Sequence, residues 1–121
     1  MSGLLPAEYD LSFLARKTLE QVCIGRYQTV LNFFENATIE IACGLVIVVG
    51  GRNRKIIDKY GIDVGIELAN LLGKVVCHAE KQDRAVILRF EDVTGIRLLL
   101  KGDGHEAVNV SGGPSGTLTF H

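Results

Sequence analysis

The sequence predicts an α+β fold in which two related antiparallel β-hairpin or meander modules share one core with a single central α-helix at about residues 62–72. Three observations carry this expectation: an internal pseudo-repeat between residues 19–48 and 73–110, apolar alternation at period two through most of the chain, and one segment where the apolar period lengthens to that of a helix. In the repeat, Val22-Cys23 matches Val76-Cys77, and Leu31-Asn32-Phe33 matches Leu88-Arg89-Phe90. Glu35 then matches Asp92, and Ile39-Glu40-Ile41 matches Ile96-Arg97-Leu98. The offset is 54 residues at the first match and 57 from the second onward, so the second copy carries the longer connection.

The elements follow in order. Residues 1–10 read as a polar leader, and Asp10 caps a short helical turn through Leu11, Phe13 and Leu14 by accepting from backbone amides. Strands are expected over 18–24, 27–34 and 38–43, the latter two as a hairpin around Glu35-Asn36-Ala37, and over 45–49. Gly50-Gly51 turns the chain into a basic loop with a brief apolar segment at Ile56-Ile57. Ile62, Ile66, Ala69 and Leu72 then fall at helical spacing, widened by Leu68 and Leu71, between Asp63 at the start and Gly73 at the stop. The second module supplies strands over 74–80, 84–91, 95–101 and 105–110 with a turn at Gly102-Asp103-Gly104. Residues 111–116 form a loop, and Thr117–Phe120 a short edge strand.

Alternation selects the core. Leu31, Phe33, Ile39 and Ile41 share one face of the first hairpin, as Val86, Leu88, Phe90, Ile96, Leu98 and Leu100 do in the second module. The opposite face mixes Val30, Phe34, Ile87 and Leu99 with Asn32, Glu40, Arg89 and Arg97, so the helix or a twofold partner chain is expected to cover part of it.

A length of 121 residues fits a single domain, 1–121, able to bury a core without disulfide or metal staples. Thirteen basic against fourteen acidic side chains leave a formal charge of −1, which lacks the basic footprint of a nucleic-acid binder. No apolar run approaches the roughly 18 residues of a spanning helix, and the first residues lack the basic region of a signal peptide, so no membrane partner and a cytoplasmic location are expected. Cys23, Cys43 and Cys77 never fall at C-x-x-C spacing and read as small core residues.

Few residues point to chemistry. The segment 46–53 resembles a strand entering a glycine loop, yet neither phosphate-binding glycine motif is present, and a hairpin turn accounts for it. His78, His105 and His121, with Glu80 or Glu106, have no spacing that builds a metal site. No cofactor and no catalytic residue is assigned. Arg52, Arg54, Lys55 and Lys59 form the densest basic group, offset by Asp58, and are the candidate protein-interaction patch against a solvated loop as the plainer reading.

Laid out in this order, Leu19-Glu20-Gln21-Val22, the Leu31–Phe33 strand, Leu71-Leu72-Gly73-Lys74-Val75-Val76, the Leu88–Phe90 strand and a late Glu106 resemble a family of small uncharacterised bacterial proteins, some of them immunity-protein-like. The likeness spans roughly residues 11–116. It departs at His105, where an aromatic precedes the late Glu in the family, and at Asn36-Ala37, where the family has a glycine turn. The resemblance implies two β modules around one helix and transfers no catalytic residue. The expected function is a non-catalytic binding protein, an immunity-like inhibitor acting on a protein partner. The alternatives are a small-molecule-binding domain or enzyme with its site between the modules, near Cys77, His78 or Glu106, and a homodimeric accessory protein.

Overall fold

The structure is a computed structural model that describes residues 10–43, 45–49, 52–57, 62–92, 94–100, 108–114 and 116–121. Ten strands form two antiparallel sheets: β1 (Leu19–Ile24), β2 (Thr29–Phe33), β3 (Ala37–Ile41), β4 (Leu45–Val49), β5 (Arg52–Ile57), β6 (Val76–Gln82), β7 (Ala85–Phe90), β8 (Thr94–Leu99), β9 (Val108–Gly113) and β10 (Gly116–Phe120). The first sheet runs β1-β2-β3-β9-β10 and the second β5-β4-β8-β7-β6. Each sheet is thus a three-stranded meander from one half of the chain completed by a hairpin from the other half. A short helix, α1 (Ile62–Ala69), lies between β5 and β6 in sequence.

Side chains from both sheets meet in one hydrophobic cluster. Leu31, Phe33, Ile39, Ile41, Val86, Leu88, Phe90, Ile96, Leu98 and Leu100 are all buried in it, as their alternation requires. Leu11, Leu14, Leu19, Val76, Val108, Val110 and Phe120 join them.

The helix differs from expectation in extent and in face. It ends at Ala69 and passes into turns before Gly73, whose φ of 85° belongs to the left-handed region. Its buried face is Val64, Leu68 and Leu71, while Ile66 and Leu72 are 54% and 48% exposed. Gly65 explains the choice: a Cβ there would lie 2.6 Å from Ile24 Cγ2 and 3.0 Å from Thr29 Oγ1, so the helix approaches the β1–β2 end through its glycine. Thr29 alternates with Leu31 and Phe33, so α1 adds to the inner core and does not cover the outer face. On that outer face Ile87 is buried within the single chain, and Val30 and Leu99 are half-buried.

Strand boundaries depart from expectation at two places. The basic segment is a full strand, β5, paired with β4 rather than a loop, and β9 continues through Ser111–Gly113. The turn at 102–104 and the Gly50-Gly51 turn lie outside the described residues.

Two expectations for the cysteines fail for one reason. Cys23 and Cys77 are exposed and only Cys43 is buried. β1 and β6 are edge strands, and each has a register shift at its start, between Leu19 and Gln21 and between Val76 and His78. A bulge of this kind reverses the alternation, turning Val22 and Ala79 inward and leaving the thiols out.

Pairing also corrects the register of the repeat. Leu19 faces Phe33 as Val76 faces Phe90, and Leu31 faces Ile39 as Leu88 faces Ile96. The offset is therefore 57 from the first strand onward, and the counterparts of Val76 and Cys77 are Leu19 and Glu20 rather than Val22 and Cys23. The same spacing recurs before the strands. Leu14 N–H donates to Leu11 at 3.0 Å and Leu71 N–H to Leu68 at 2.9 Å; Leu19 N–H donates to Lys74 and Val76 N–H to Lys17, both at 2.9 Å. Arg16 at φ 71° corresponds to Gly73 at φ 85°. Thr18 and Val75, themselves counterparts, bridge each other where the starts of β1 and β6 meet.

Candidate functional site

Among the sequence-derived candidates, Arg52, Arg54 and Lys55 belong to β5, an edge strand of the second sheet, and Lys59 lies outside the described residues. Their register positions differ. Lys55 is opposite Ile47, Arg52 is opposite Val49, and Arg54 falls within the register shift between them.

His78 Nε2 stands 3.5 Å from Glu80 Oε1 on the outer face of the second sheet, with the imidazole half-exposed. Cys77 precedes them in the bulge. His121 is exposed, and His105 and Glu106 lie outside the described residues. Among the described residues no group of His, Cys, Asp or Glu is arranged to hold a metal ion. A thiol needs a base within hydrogen-bond reach to act as a nucleophile, and the His78 imidazole is engaged instead with Glu80.

Two ion pairs occupy counterpart positions. Lys17 Nζ lies 3.3 Å from Glu35 Oε1 beside the β2–β3 turn, and Lys74 pairs with Asp92 beside the β7–β8 turn. The Lys74 hydrogen bond, with a further one from Thr94, holds the Asp92 carboxyl down at about 2.

Two surfaces gather features that could serve recognition. The first lies at the seam of α1 with the β1–β2 turn. Ile24, Tyr27 and Ile66 are 45%, 63% and 54% exposed, and Gly65 brings Ile66's turn of helix against Ile24. The Arg26 guanidinium stands over the Tyr27 ring at 5.3 Å, a cation–π contact that keeps a positive charge beside these apolar groups.

The second is an open groove of about 520 Å³ on the outer face of the first sheet. Glu20 and Gln21 on β1, Asn32 on β2, Thr38 on β3 and the turn residues Phe34, Glu35 and Asn36 form it. Gln21 and Asn32 are cross-strand neighbours, and Asn32 Nδ2 donates to Gln21 Oε1 at 2.8 Å and to Cys23 Sγ at 3.6 Å. The turn has no glycine, so Glu35 and Asn36 take the left-handed region themselves, at φ 63° and 64°. Gly112 on β9 holds this turn from the side. A Cβ at Gly112 would lie 2.6 Å from Ala37 Cα and 2.9 Å from the Asn36 carbonyl oxygen.

Comparison with protein-family models, curated proteins and solved structures finds no match for this chain. Function therefore rests on these surfaces alone. No helix among the described residues is long and apolar enough to cross a membrane.

Sequence reasoning placed no site residue in either surface. The exposed seam was hidden because Ile66 and Leu72 sit at helical spacing with core residues, and spacing alone does not say which of two adjacent stripes turns inward. The groove had a signal in Asn36-Ala37, a turn that omits glycine where its backbone geometry favours one.

Proposed function

We propose that this is a non-catalytic binding protein that acts through protein–protein contact, in the manner of an immunity-like inhibitor, and that its two halves are related modules. The observation that carries the first part is the exposed seam of Ile24, Tyr27 and Ile66 with Arg26 beside it. Large apolar side chains and an arginine-flanked tyrosine, grouped on rigid elements and ringed by polar residues, are the composition of an interface centre. The partner's chemistry follows: an apolar surface with a carboxylate near its rim for Arg26. The basic strand residues Arg52, Arg54 and Lys55 enter as a steering field rather than the centre of contact. Support for related modules comes from the hydrogen bonds, left-handed residues and ion pairs that recur at the offset of 57.

The test is affinity capture from the host cell with the parent chain and with an Ile66→Glu, Tyr27→Ala variant, read by mass spectrometry. Both side chains are largely exposed, so the variant is expected to fold like the parent. A partner held by the parent at stoichiometric amounts and lost by the variant supports the reading. Identical captured sets refute it. A homodimer reading has less to rest on, because Ile87 on the outer face of the second sheet is already buried within one chain.

A further inference from the structure

We infer that the groove on the first sheet is a binding site for a neutral polyhydroxylated small molecule, a sugar or polyol. This goes beyond a protein partner and involves a different surface. Its volume of about 520 Å³ lies within the range of small-ligand sites, and it is on an outer face rather than between the two halves.

The lining decides the class of ligand. The carboxamides of Gln21, Asn32 and Asn36 each offer both a donor and an acceptor, the Thr38 hydroxyl does the same, and Glu20 and Glu35 accept. Vicinal hydroxyls, each at once donor and acceptor, complement such a mixed set. An anion finds there no cation except Lys17, and Lys17 is already paired with Glu35. A cationic ligand finds the reverse limit, since that pairing leaves Glu20 as the carboxylate without an opposing charge in the lining. Phe34 is 54% exposed at the rim, where an aromatic face can stack on the C–H face of a sugar ring.

The site is also held in shape before a ligand arrives. The Gln21–Asn32 hydrogen bond fixes two carboxamides across adjacent strands. Glu35 and Asn36 keep left-handed backbone under the close approach of Gly112, and strain of this kind gathers at binding sites. The second sheet supplies an internal control. There, at the offset of 57, Asn32 becomes Arg89, Phe34 becomes Glu91 and Thr38 becomes Gly95, although the buried Leu31, Phe33 and Ile39 keep their types as Leu88, Phe90 and Ile96. The cores agree and the grooves do not.

The experiment is a 1H–15N correlation titration of the whole chain with glucose, N-acetylglucosamine and maltose, against inorganic phosphate and lysine amide. A ligand of about a dozen non-hydrogen atoms at ordinary efficiency per atom binds with a dissociation constant on the order of 1 mM. Saturable shifts from at least one sugar are expected in the amides of residues 20–21 and 32–38, with residues 89–95 silent. Phe34→Ala, at a half-exposed position, should weaken binding about tenfold while leaving the rest of the spectrum in place. Absence of saturable shifts with every sugar overturns the proposal. So do shifts that map elsewhere, binding unchanged in Phe34→Ala, or lysine amide or phosphate binding more tightly than any sugar.

Discussion

Replacing Gly112 with alanine tests how the β2–β3 turn is held, and the cost can be worked from two separate sources. Gly112 has φ 103°, a conformation that an L side chain adopts only with strain of about 1–3 kcal/mol. The added Cβ would also lie 2.6 Å from Ala37 Cα, 2.9 Å from the Asn36 carbonyl oxygen and 3.2 Å from Ala37 Cβ. Two of these atoms are backbone, so β9 or the turn must shift, at an overpacking cost of about 1–3 kcal/mol. Together they give about 2–6 kcal/mol, a large part of the 5–15 kcal/mol typical of a domain. Gly116→Ala is the control: its φ is 77° and nothing lies within 4 Å of the added Cβ, so it carries the conformational cost alone, about 1–2 kcal/mol. Urea unfolding followed by circular dichroism separates the two. With a slope of about 1.5 kcal/mol/M, a loss of about 3 kcal/mol lowers the midpoint by about 2 M, and Gly116→Ala should lower it by about 1 M. Equal midpoints for the two variants would show that β9 does not press on this turn, and the account of how the groove is shaped would fall with it.

Two further expectations rest on single residues. The Thr29 hydroxyl is fully buried without a hydrogen-bond partner, so Thr29→Val, which keeps the shape, should stabilise the chain by about 1 kcal/mol in the same urea assay; a loss instead would mean that the hydroxyl is satisfied. Because Lys74 holds Asp92 at about 2 against an ordinary 3.8, its contribution to stability is complete above 3.8 and is lost as pH falls through about 2. A carboxyl carbon titration by NMR should place Asp92 near 2 in the parent and higher in Lys74→Met; an unmoved midpoint would remove Lys74 as the cause.

The buried rows were legible because strand alternation needs only sequence spacing, and Leu31, Phe33, Leu88 and Phe90 lie where that spacing puts them. What failed was local inversion of the pattern. One extra residue at Glu20 and one at Cys77 turned both thiols outward, and composition carries no mark of a bulge. The helix face failed for a related reason: Ile62, Ile66, Ala69 and Leu72 make as regular a stripe as Val64, Leu68 and Leu71, and only the close approach at Gly65 chooses between them. The ion pairs Lys17–Glu35 and Lys74–Asp92 were readable in principle, since both span the same number of residues and sit at the offset of the core matches. The groove was not, because it depends on which strands become neighbours and on a turn shaped by a glycine far along the chain.

The exchange of hairpins between sheets sets the order in which this protein can be made. β3 pairs with β2 on one side and with β9 on the other, so until residues 108–113 have left the ribosome the early meander has an open edge. β4 faces the same delay, since its inner neighbour is β8. A nascent chain stalled midway therefore exposes two unmatched strand borders and half a core, the kind of intermediate that invites a holding chaperone or pairing with a neighbouring nascent copy.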